Sequence, residues 1–436
     1  MKIFLFRPDH GHLKQILTPT FYPKLPGISL GCYDFVMKTM KLLALGLLSL
    51  IVFAACAGDP SPSPVVPTSE DPTPPLSSPA APTQPEIMAS PEMTSAQVPT
   101  VVSAPLTGPL VEVVTSGLDT PWEIAFLPGG EMLVTERSGN LVLIGQTTTR
   151  IRVPNVEQRG EGGLLGLALD PDYPVNNRIY VYLTSLENGQ LVNRVERYVF
   201  KNGALSDREV IFEGILGANN HDGGRIEFGP DGYLYITTGD AQNPDIAQAV
   251  TSLQGKILRV SSEGEVPEDN PFASAVWSYG HRNPQGLAWD PEGRLWSTEH
   301  GPSGLGSGYD ELNLITPGAN YGWPEIQGEE KLEGMVSPVI QSGGSVTWAP
   351  GDVEYLDGKL YFTGLRGSAL YVVSLDGEKI AGFDTFFSGD YGRLRAVRLG
   401  PDGYLYISTS NRDGRGNPDA DDDLILRVNP NLLTKP

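Results

Sequence analysis

Residues 229–240 read GPDGYLYITTGD, and residues 400–411 repeat this phrase as GPDGYLYISTSN. Each copy has a Pro-Asp-Gly turn, then an apolar run with a polar end, which is the pattern of a turn followed by a β-strand. Weaker copies of the same turn and strand occupy residues 127–139, 170–184, 290–301 and 355–367. Because no stretch of helical period separates the copies, the sequence indicates an array of similar β-sheets.

Six copies, spaced by tens of residues, predict six sheets. Radial closure protects the edges of such an array, so we expect an all-β, six-bladed β-propeller of four-stranded antiparallel sheets over residues 106–436. The early strand at 110–117 has no hairpin partner nearby, and we expect it to close the ring against the last blade near residues 422–430. Two stacked β-sandwich domains are the competing architecture, but they would not explain the repeated phrase.

A second strand signal precedes several copies. Small residues lead into an apolar strand at residues 121–130, 163–172, 223–232 and 284–293. Small residues suit the crowded axis of a propeller, so these segments are predicted to be innermost strands. The loops that lead into innermost strands gather at one mouth of the central channel, and their polar residues are the candidates for a functional site.

The N-terminal part of the chain differs in composition from the rest. From Met37 a short basic stretch, an apolar run and Ala-Ala-Cys follow one another, which predicts a lipoprotein signal peptide over residues 37–56 with lipidation at Cys56. A plain secretory signal or a short membrane anchor is the alternative. Residues 1–36 are then a misassigned start, and the Pro/Ser/Thr-rich residues 57–105 are a disordered linker. We therefore expect an exported protein in the cell envelope, facing the periplasm or the exterior and attached to the membrane only by its lipid.

Charge and cysteine content exclude several functions. The net charge is −21, which argues against nucleic acid as a partner and against direct docking on anionic lipid. The cysteines, Cys32 and Cys56, both precede residue 106. The propeller is therefore predicted to have neither disulfides nor thiol chemistry.

The predicted mouth loops contain two histidines that could act in chemistry. His221 stands between Asn220 and Asp222 and directly precedes an innermost strand, which suits a general base with an accessible ring. His300 lies beside a Gly-Pro turn, where a purely structural hydrogen-bonding role is an equal alternative.

Four arginines also fall in these loops, namely Arg282, Arg366, Arg393 and Arg395. Guanidinium groups that are not offset by neighbouring carboxylates favour a planar, carboxylate-rich guest. Nearby, the carbonyl groups of Gly301 and Pro302 are followed by Asp310 and Glu311. Ca²⁺ accepts oxygen ligands of both kinds, although the spacing is not that of an EF-hand and acidic loops are common.

Several phrases together resemble the soluble pyrroloquinoline quinone (PQQ)-dependent sugar dehydrogenases, the glucose/sorbosone dehydrogenase family, and within it the aldose sugar dehydrogenase branch. The resemblance runs from about Leu118 to Val428. It rests on phrases that occur in one order, among them EGGLLGLALDPDY, NHDGGRIEFGPDGYLYITTGD, YGHRNPQGLAWDP, EHGP and DELNLITPGANYGWP.

The resemblance implies a propeller that binds PQQ and Ca²⁺ and oxidises the anomeric hydroxyl of an aldose to a lactone, with hydride passing to calcium-activated quinone. His221 matches the general base. The implied cofactor contacts are Glu161, Asn220, Arg282, Asn283, Arg366, Arg393 and Arg395. Gly301 and Pro302 match carbonyl ligands of the calcium beside the quinone, and Glu311 and Tyr321 match a second, structural calcium.

Three features depart from the glucose-type members of that family. Arg366 stands where those members have a lysine, Glu161 stands where they have a glutamine, and the loop 303–309 is longer and richer in glycine. Two other functions stay open: a non-catalytic envelope-anchored propeller that binds sugar or protein, and a metal-dependent lactonase. A lactonase, however, needs carboxylate and Asn ligands on one metal and has no use for four arginines.

Overall fold

The computed structural model describes residues 106–304 and 307–434. The predicted misassigned start, the predicted signal peptide with Cys56 and the predicted linker all lie outside the described residues, and they stay predictions. Within the described residues, no helix has the length and apolar character needed to cross a bilayer.

The described chain forms six antiparallel sheets of four strands each, and each sheet is one blade. Strand β1 spans Val111–Thr115 and belongs to the last blade. Blade 1 contains β2 (Pro121–Phe126), β3 (Met132–Glu136), β4 (Asn140–Ile144) and β5 (Thr148–Arg152). Blade 2 contains β6 (Leu164–Leu169), β7 (Arg178–Glu187), β8 (Gln190–Lys201) and β9 (Ala204–Leu216). Blade 3 contains β10 (Ile226–Phe228), β11 (Leu234–Thr238), β12 (Lys256–Val260) and β13 (Val276–Tyr279).

The remaining blades follow the same order along the chain. Blade 4 contains β14 (Pro284–Trp289), β15 (Leu295–Glu299), β16 (Glu311–Ile315) and β17 (Ile340–Gln341). Blade 5 contains β18 (Pro350–Leu356), β19 (Lys359–Gly364), β20 (Ala369–Asp376) and β21 (Lys379–Phe386). Blade 6 contains β22 (Leu394–Leu399), β23 (Leu405–Thr409), β24 (Ile425–Val428) and β1.

The first and last strands of the described chain share one sheet. β1 pairs antiparallel with β24, and Val111 lies opposite Val428 in the register. Beyond β1, the Gly117 amide donates to the Asp421 carbonyl over 2.9 Å and continues the closure. This pairing joins the two ends of the domain as the isolated strand at 110–117 predicted, and the six-bladed propeller is confirmed.

The first strands of the blades line the central axis. β2 contacts both β6 and β22, and β18 contacts both β14 and β22. A side chain at Gly166 of β6 would place its Cβ 2.3 Å from the Gly224 carbonyl oxygen, and one at Gly351 of β18 would place it 2.6 Å from the Arg395 carbonyl oxygen. Neighbouring inner strands therefore approach too closely for any side chain at these positions, as the small residues in the sequence predicted.

Apolar side chains fill the spaces between neighbouring blades. One cluster joins Trp296 of blade 4 to Phe362 of blade 5. Between blades 3 and 4, Tyr235 lies edge-on to Trp289, with ring centroids 5.1 Å apart. Burial of this apolar surface holds each blade against both neighbours, and the loops at the channel mouth are thereby held in fixed positions.

One copy of the repeat departs from the expected turn. Residues 170–184 lack the turn glycine, and the chain there forms α1 (Tyr173–Asn176). Asn177, at φ +55°, takes the left-handed conformation that Gly232 has in the strongest copy at φ +79°. Short 3-10 helices span Pro244–Gln248, Pro271–Ala273 and Pro430–Leu432. The described chain is therefore nearly all-β.

Candidate active site

The loops before the inner strands surround a cavity of about 500 Å³ at one mouth of the channel. The predicted site residues on its wall are Glu161, Asn220, His221, Arg282, Gly301, Pro302, Arg366, Arg393 and Arg395. These residues are far apart in the sequence and come from several blades. The fold thus brings most of the predicted residues together on one cavity.

The ring of His221 is held at both nitrogen atoms. Its Nδ1 lies 2.7 Å from Asp240 Oδ1, and its Nε2 lies 2.9 Å from Arg282 Nη2. A guanidinium N–H can only donate, so Nε2 has the lone pair and Nδ1–H donates to Asp240. The ring is therefore neutral, with its basic nitrogen beside the cavity wall, which is the form that a general base requires.

The backbone of His221 is held as firmly as its ring. Its φ of +65° is uncommon for any residue with a side chain. The His221 N–H donates to Glu161 Oε2 over 3.0 Å. Gly239, at the end of the repeated phrase, permits the close approach, because a Cβ there would lie 1.9 Å from the His221 carbonyl oxygen.

Asp240 positions His221, and the sequence analysis missed it. This buried carboxylate accepts the Gln242 backbone N–H over 2.8 Å and the Trp323 indole N–H over 2.9 Å, in addition to the His221 ring N–H. The signal was present in the repeat, because Asp240 ends the copy 229–240 where Asn411 ends the copy 400–411. A carboxylate in place of an amide marks the copy that orients a histidine.

The arginines of the cavity wall differ in their partners. Arg393 is paired with Asp413, with its Nε 2.9 Å and its Nη2 2.7 Å from Asp413 Oδ2. The expectation of four guanidiniums without neighbouring carboxylates is therefore wrong for Arg393, because the loop after β23 folds back and supplies Asp413.

The other three predicted arginines donate to no carboxylate among the described residues. Arg282 donates to His221, to the Ser303 hydroxyl over 2.9 Å and to the His300 carbonyl over 3.4 Å. Arg366 is exposed at the rim, and its side chain has no hydrogen bond or ion pair with any described residue. Arg395 is described next.

Arg395 lies at the bottom of the cavity with neutral partners. Its Nη1 donates to Gln285 Oε1 over 3.2 Å and its Nε donates to the Ser410 hydroxyl over 3.3 Å. Burial, together with the positive charges of Arg137 and Arg393, lowers the pKa of Arg395 to about 9, against the opposing effect of Asp413. Burial likewise lowers the pKa of Arg282. An anion in the cavity would favour the charged form of both groups.

Gly301 and Pro302 form a turn on the cavity wall that Asp310 holds in place. Asp310 Oδ1 accepts the Gly301 N–H over 2.9 Å, and Oδ2 accepts the Trp348 N–H over 2.6 Å. A Cβ at Gly301 would lie 2.1 Å from the Gly308 carbonyl oxygen. The turn is therefore braced by a carboxylate and lacks a side chain at its tightest point.

The hairpin of β14 and β15 brings two of the predicted motifs together. Glu299, at the end of β15, accepts the backbone N–H of Arg282 and that of Asn283, the latter over 3.3 Å, as well as the ring of buried His281 over 2.8 Å. Asn283 itself lies behind the cavity wall, where its Oδ1 accepts the Gly223 N–H over 2.9 Å. Its Nδ2 is buried and has no partner among the described residues. Contact of Asn283 with a cofactor stays a prediction.

Glu311 and Tyr321 also lie behind the cavity. Glu311 faces Glu299 across β15 and β16. Burial, and then the negative charges of Glu299 and Asp310, raise the pKa of Glu311 to about 8. The Tyr321 hydroxyl donates to the Leu314 carbonyl over 2.6 Å, and its ring stacks on His281. Among the described residues no three His, Cys, Asp or Glu side chains are grouped as metal ligands would be, so a calcium here stays a prediction.

Further wall residues were not singled out as site residues from the sequence: Gln242, Gln285, Ser303, Thr347 and Arg415. His300 also lies on the wall. Its Nε2–H donates to the Pro350 carbonyl over 2.9 Å, which is the structural role left open above, and burial lowers its pKa to about 4. His300 is therefore neutral near pH 7.

Known proteins share this sequence and fold. The profile of the family described as Glucose / Sorbosone dehydrogenase matches residues 118–426. Aldose sugar dehydrogenase YliI of Escherichia coli (strain K12) is 34% identical over 357 residues, which cover 73% of this chain and 92% of that protein. The PQQ-bound form of Aldose Sugar Dehydrogenase from Streptomyces coelicolor is 40% identical, covers 74% of this chain and 99% of its own, and has a TM-score of 0.68. An oxidoreductase from Thermus thermophilus, described as a glucose dehydrogenase, is 46% identical, covers 73% and 99% of the two chains, and has a TM-score of 0.70. The chain belongs to the glucose/sorbosone dehydrogenase family.

Proposed function

We propose that this protein is a PQQ-dependent aldose sugar dehydrogenase that oxidises the anomeric hydroxyl of aldoses to lactones. Its family makes it an oxidoreductase. The observation that carries the proposal is the charge of the cavity wall, where Arg282, Arg366 and Arg395 donate to no described carboxylate. PQQ is planar and rich in carboxylates, so it would supply the missing anions. The Streptomyces coelicolor relative is a PQQ-bound form.

The residues of the cavity fit such a cofactor and a metal ion. Arg366, Arg393 and Arg395 would hold its carboxylates, with Arg282 at the His221 side of the cavity. The carbonyl groups of Gly301 and Pro302, on a turn braced by Asp310, would hold Ca²⁺ beside it. When bound, PQQ and Ca²⁺ together supply a two-electron acceptor that the charge of the metal makes more electrophilic.

His221 performs the proton transfer in this proposal. A sugar hydroxyl takes the place of Arg282 at Nε2, and Nε2 then accepts the proton of the anomeric hydroxyl. Asp240 keeps the ring oriented and stabilises the imidazolium through the bond from Nδ1–H, which is 2.7 Å long. Glu161 and Asn220, on the same wall, are placed to accept hydrogen bonds from the bound ligands.

A second, structural Ca²⁺ is proposed behind the cavity. Glu311 and Glu299 are buried carboxylates that face each other, and the raised pKa of Glu311 reports their mutual repulsion in addition to burial. A cation bound by Glu311 and Tyr321 would offset this repulsion. Because it would bind only the folded protein, it should raise the melting temperature even without PQQ.

The proposed enzyme acts in the cell envelope. The signal pattern of residues 37–56 and the Pro/Ser/Thr-rich residues 57–105 support export, with a lipid at Cys56 as the only membrane attachment. Electrons from the aldose would pass to an acceptor whose identity we leave open.

One assay separates this function from the alternatives. Purified apo-protein receives PQQ and Ca²⁺, and the bleaching of an artificial electron acceptor is followed after an aldose is added. We expect bleaching only when PQQ, Ca²⁺ and aldose are all present, and a chelator should abolish it until Ca²⁺ and PQQ are restored. Hydrolysis of a lactone with metal alone would indicate a lactonase. No bleaching with any aldose would contradict the proposal.

A further inference from the structure

A loop of blade 6 reaches across the mouth of the cavity to two other blades. It connects β23 to β24 over residues 410–424. Arg415 on this loop donates from Nη1 to Glu161 Oε1 over 2.6 Å and from Nη2 to Asn220 Oδ1 over 2.9 Å. Glu161 precedes blade 2 and Asn220 precedes blade 3. One guanidinium thus joins three blades at the cavity rim.

The loop is braced on its own side of the cavity. Asp413 accepts the backbone N–H of Arg415 over 2.8 Å while it also pairs with the guanidinium of Arg393. Further along, Arg412 Nε donates to the Asp422 carbonyl over 2.6 Å. The Arg415 side chain is 55% exposed, yet it projects from a fixed backbone and makes both contacts with one planar fork.

Glu161 transmits this contact to His221. One carboxylate oxygen accepts from Arg415 and the other accepts the backbone N–H of His221. Burial would raise the pKa of Glu161, but His300, the His221 N–H and Arg415 outweigh it and lower the pKa to about 2. Besides Arg415, the charged or titratable groups around Glu161 are Arg137, His221, Asp222, Arg282, His300 and Arg395.

We infer that Arg415 is a positioning residue for the sugar: it holds the Glu161 carboxylate and the Asn220 amide in place to receive sugar hydroxyls, and it thereby sets the KM for the aldose. The inference rests on the proposed function. The His221 ring is held separately by Asp240 and Arg282. Loss of Arg415 should therefore weaken sugar binding much more than turnover.

The first test compares Arg415→Gln and Arg415→Lys in the PQQ- and Ca²⁺-loaded enzyme. Arg415→Gln should raise the KM for the aldose about five- to tenfold, because a charge-assisted but half-exposed pair is lost, and it should change kcat much less. Arg415→Lys should restore only part of the KM, since an ammonium group cannot contact Glu161 and Asn220 with one planar fork. Arg159→Gln is the matched control, because it removes an exposed ion pair with Glu157 close to the same turn.

A double-mutant cycle tests whether the effect passes through Glu161. In a Glu161→Gln background, Arg415→Gln should cost much less in KM than it does in the wild type, because its charged partner is already gone. Fully additive changes in KM would overturn the inference. So would a fall in kcat at unchanged KM, or an equal effect of Arg159→Gln.

A further arm needs neither PQQ nor activity. Glu161 has a pKa of about 2 in the folded protein against an ordinary 4.5, so it stabilises the fold above about pH 4.5 and that contribution is lost as the pH falls towards 2. In apo-protein, Arg415→Gln should lose part of this pH dependence between pH 5 and 2, and Arg415→Lys should keep it. Equal curves for the wild type and Arg415→Gln overturn the inference. Failure of the wild type to oxidise any aldose refutes the proposed function instead.

Discussion

Arg395 and Arg398 lie three residues apart on β22, yet their surroundings are opposite. At the cavity, Arg395 has only neutral hydrogen-bond partners, and burial lowers its pKa to about 9. Deeper in the channel, Arg398 donates through Nε and Nη2 to Glu123 over 3.0 and 3.1 Å. Burial acts against the charge of Arg398 too, but the carboxylates of Asp352, Glu227 and Glu354 outweigh it and raise its pKa.

The difference separates a binding site from a structural ion cluster. Residues three apart on a regular strand face opposite sides, but a register shift between Leu394 and Val397 lets β22 direct both arginines towards the channel. Arg398 is compensated by protein carboxylates and therefore serves the fold. Arg395 is compensated by none at hydrogen-bond distance, which indicates a place for an anionic ligand.

The largest effect is expected at the channel interior. Arg398→Met leaves Glu123 and Asp352 buried without their cation, and it should lower the free energy of unfolding by about 3–5 kcal/mol. Denaturant unfolding of apo-protein measures this. Arg178→Met, which removes an exposed pair with Glu263, is the control and should cost at most about 1 kcal/mol. A similar small cost for both variants would contradict the structural role of Arg398.

The cavity should respond in turnover and not in stability. His221→Ala removes the proposed general base and should lower kcat by about 10²- to 10⁴-fold, while PQQ still binds. Turnover and a PQQ titration on the same preparation check this. Near-normal kcat with bound PQQ would remove His221 from the mechanism.

How far the sequence predicted this structure depends on whether a feature repeats. The phrase at 229–240 and its copies predicted the blades, and the unpaired strand at 110–117 predicted the ring closure, because both follow from local pattern and pairing rules. Motifs on loops next to inner strands, such as His221 and Arg282, were placed correctly on the cavity for the same reason.

Contacts made by long loops could not be read in this way. The segment 410–424 has no strand pattern to fix its direction, so neither the pairing of Asp413 with Arg393 nor the reach of Arg415 to Glu161 was predictable. Asp240 was missed because its role depends on the His221 ring, 19 residues earlier, lying beside it in space.

The smallest effect is expected in the pH dependence of stability. Glu354 lies near Arg398, and burial raises its pKa from 4.5 to about 7. Between these values the folded protein binds a proton that the unfolded chain has lost, so stability should fall as the pH rises from about 4.5 to 7. Asp222 and Glu311 titrate in the same direction, so the informative quantity is the difference between two proteins. Glu354→Gln should show a shallower fall than the wild type, and parallel curves would show that Glu354 is ionised throughout.

The most direct test of the comparison is the free energy of unfolding of Arg395→Met, measured beside Arg398→Met with and without PQQ and Ca²⁺. We predict that apo Arg395→Met is at least as stable as apo wild type, because it removes a buried cation that has no carboxylate partner at hydrogen-bond distance. PQQ at 100 times its dissociation constant should stabilise the wild type by about 2.7 kcal/mol and should stabilise Arg395→Met far less at the same concentration. A loss of apo stability in Arg395→Met as large as that in Arg398→Met, with undiminished stabilisation by PQQ, would contradict the account.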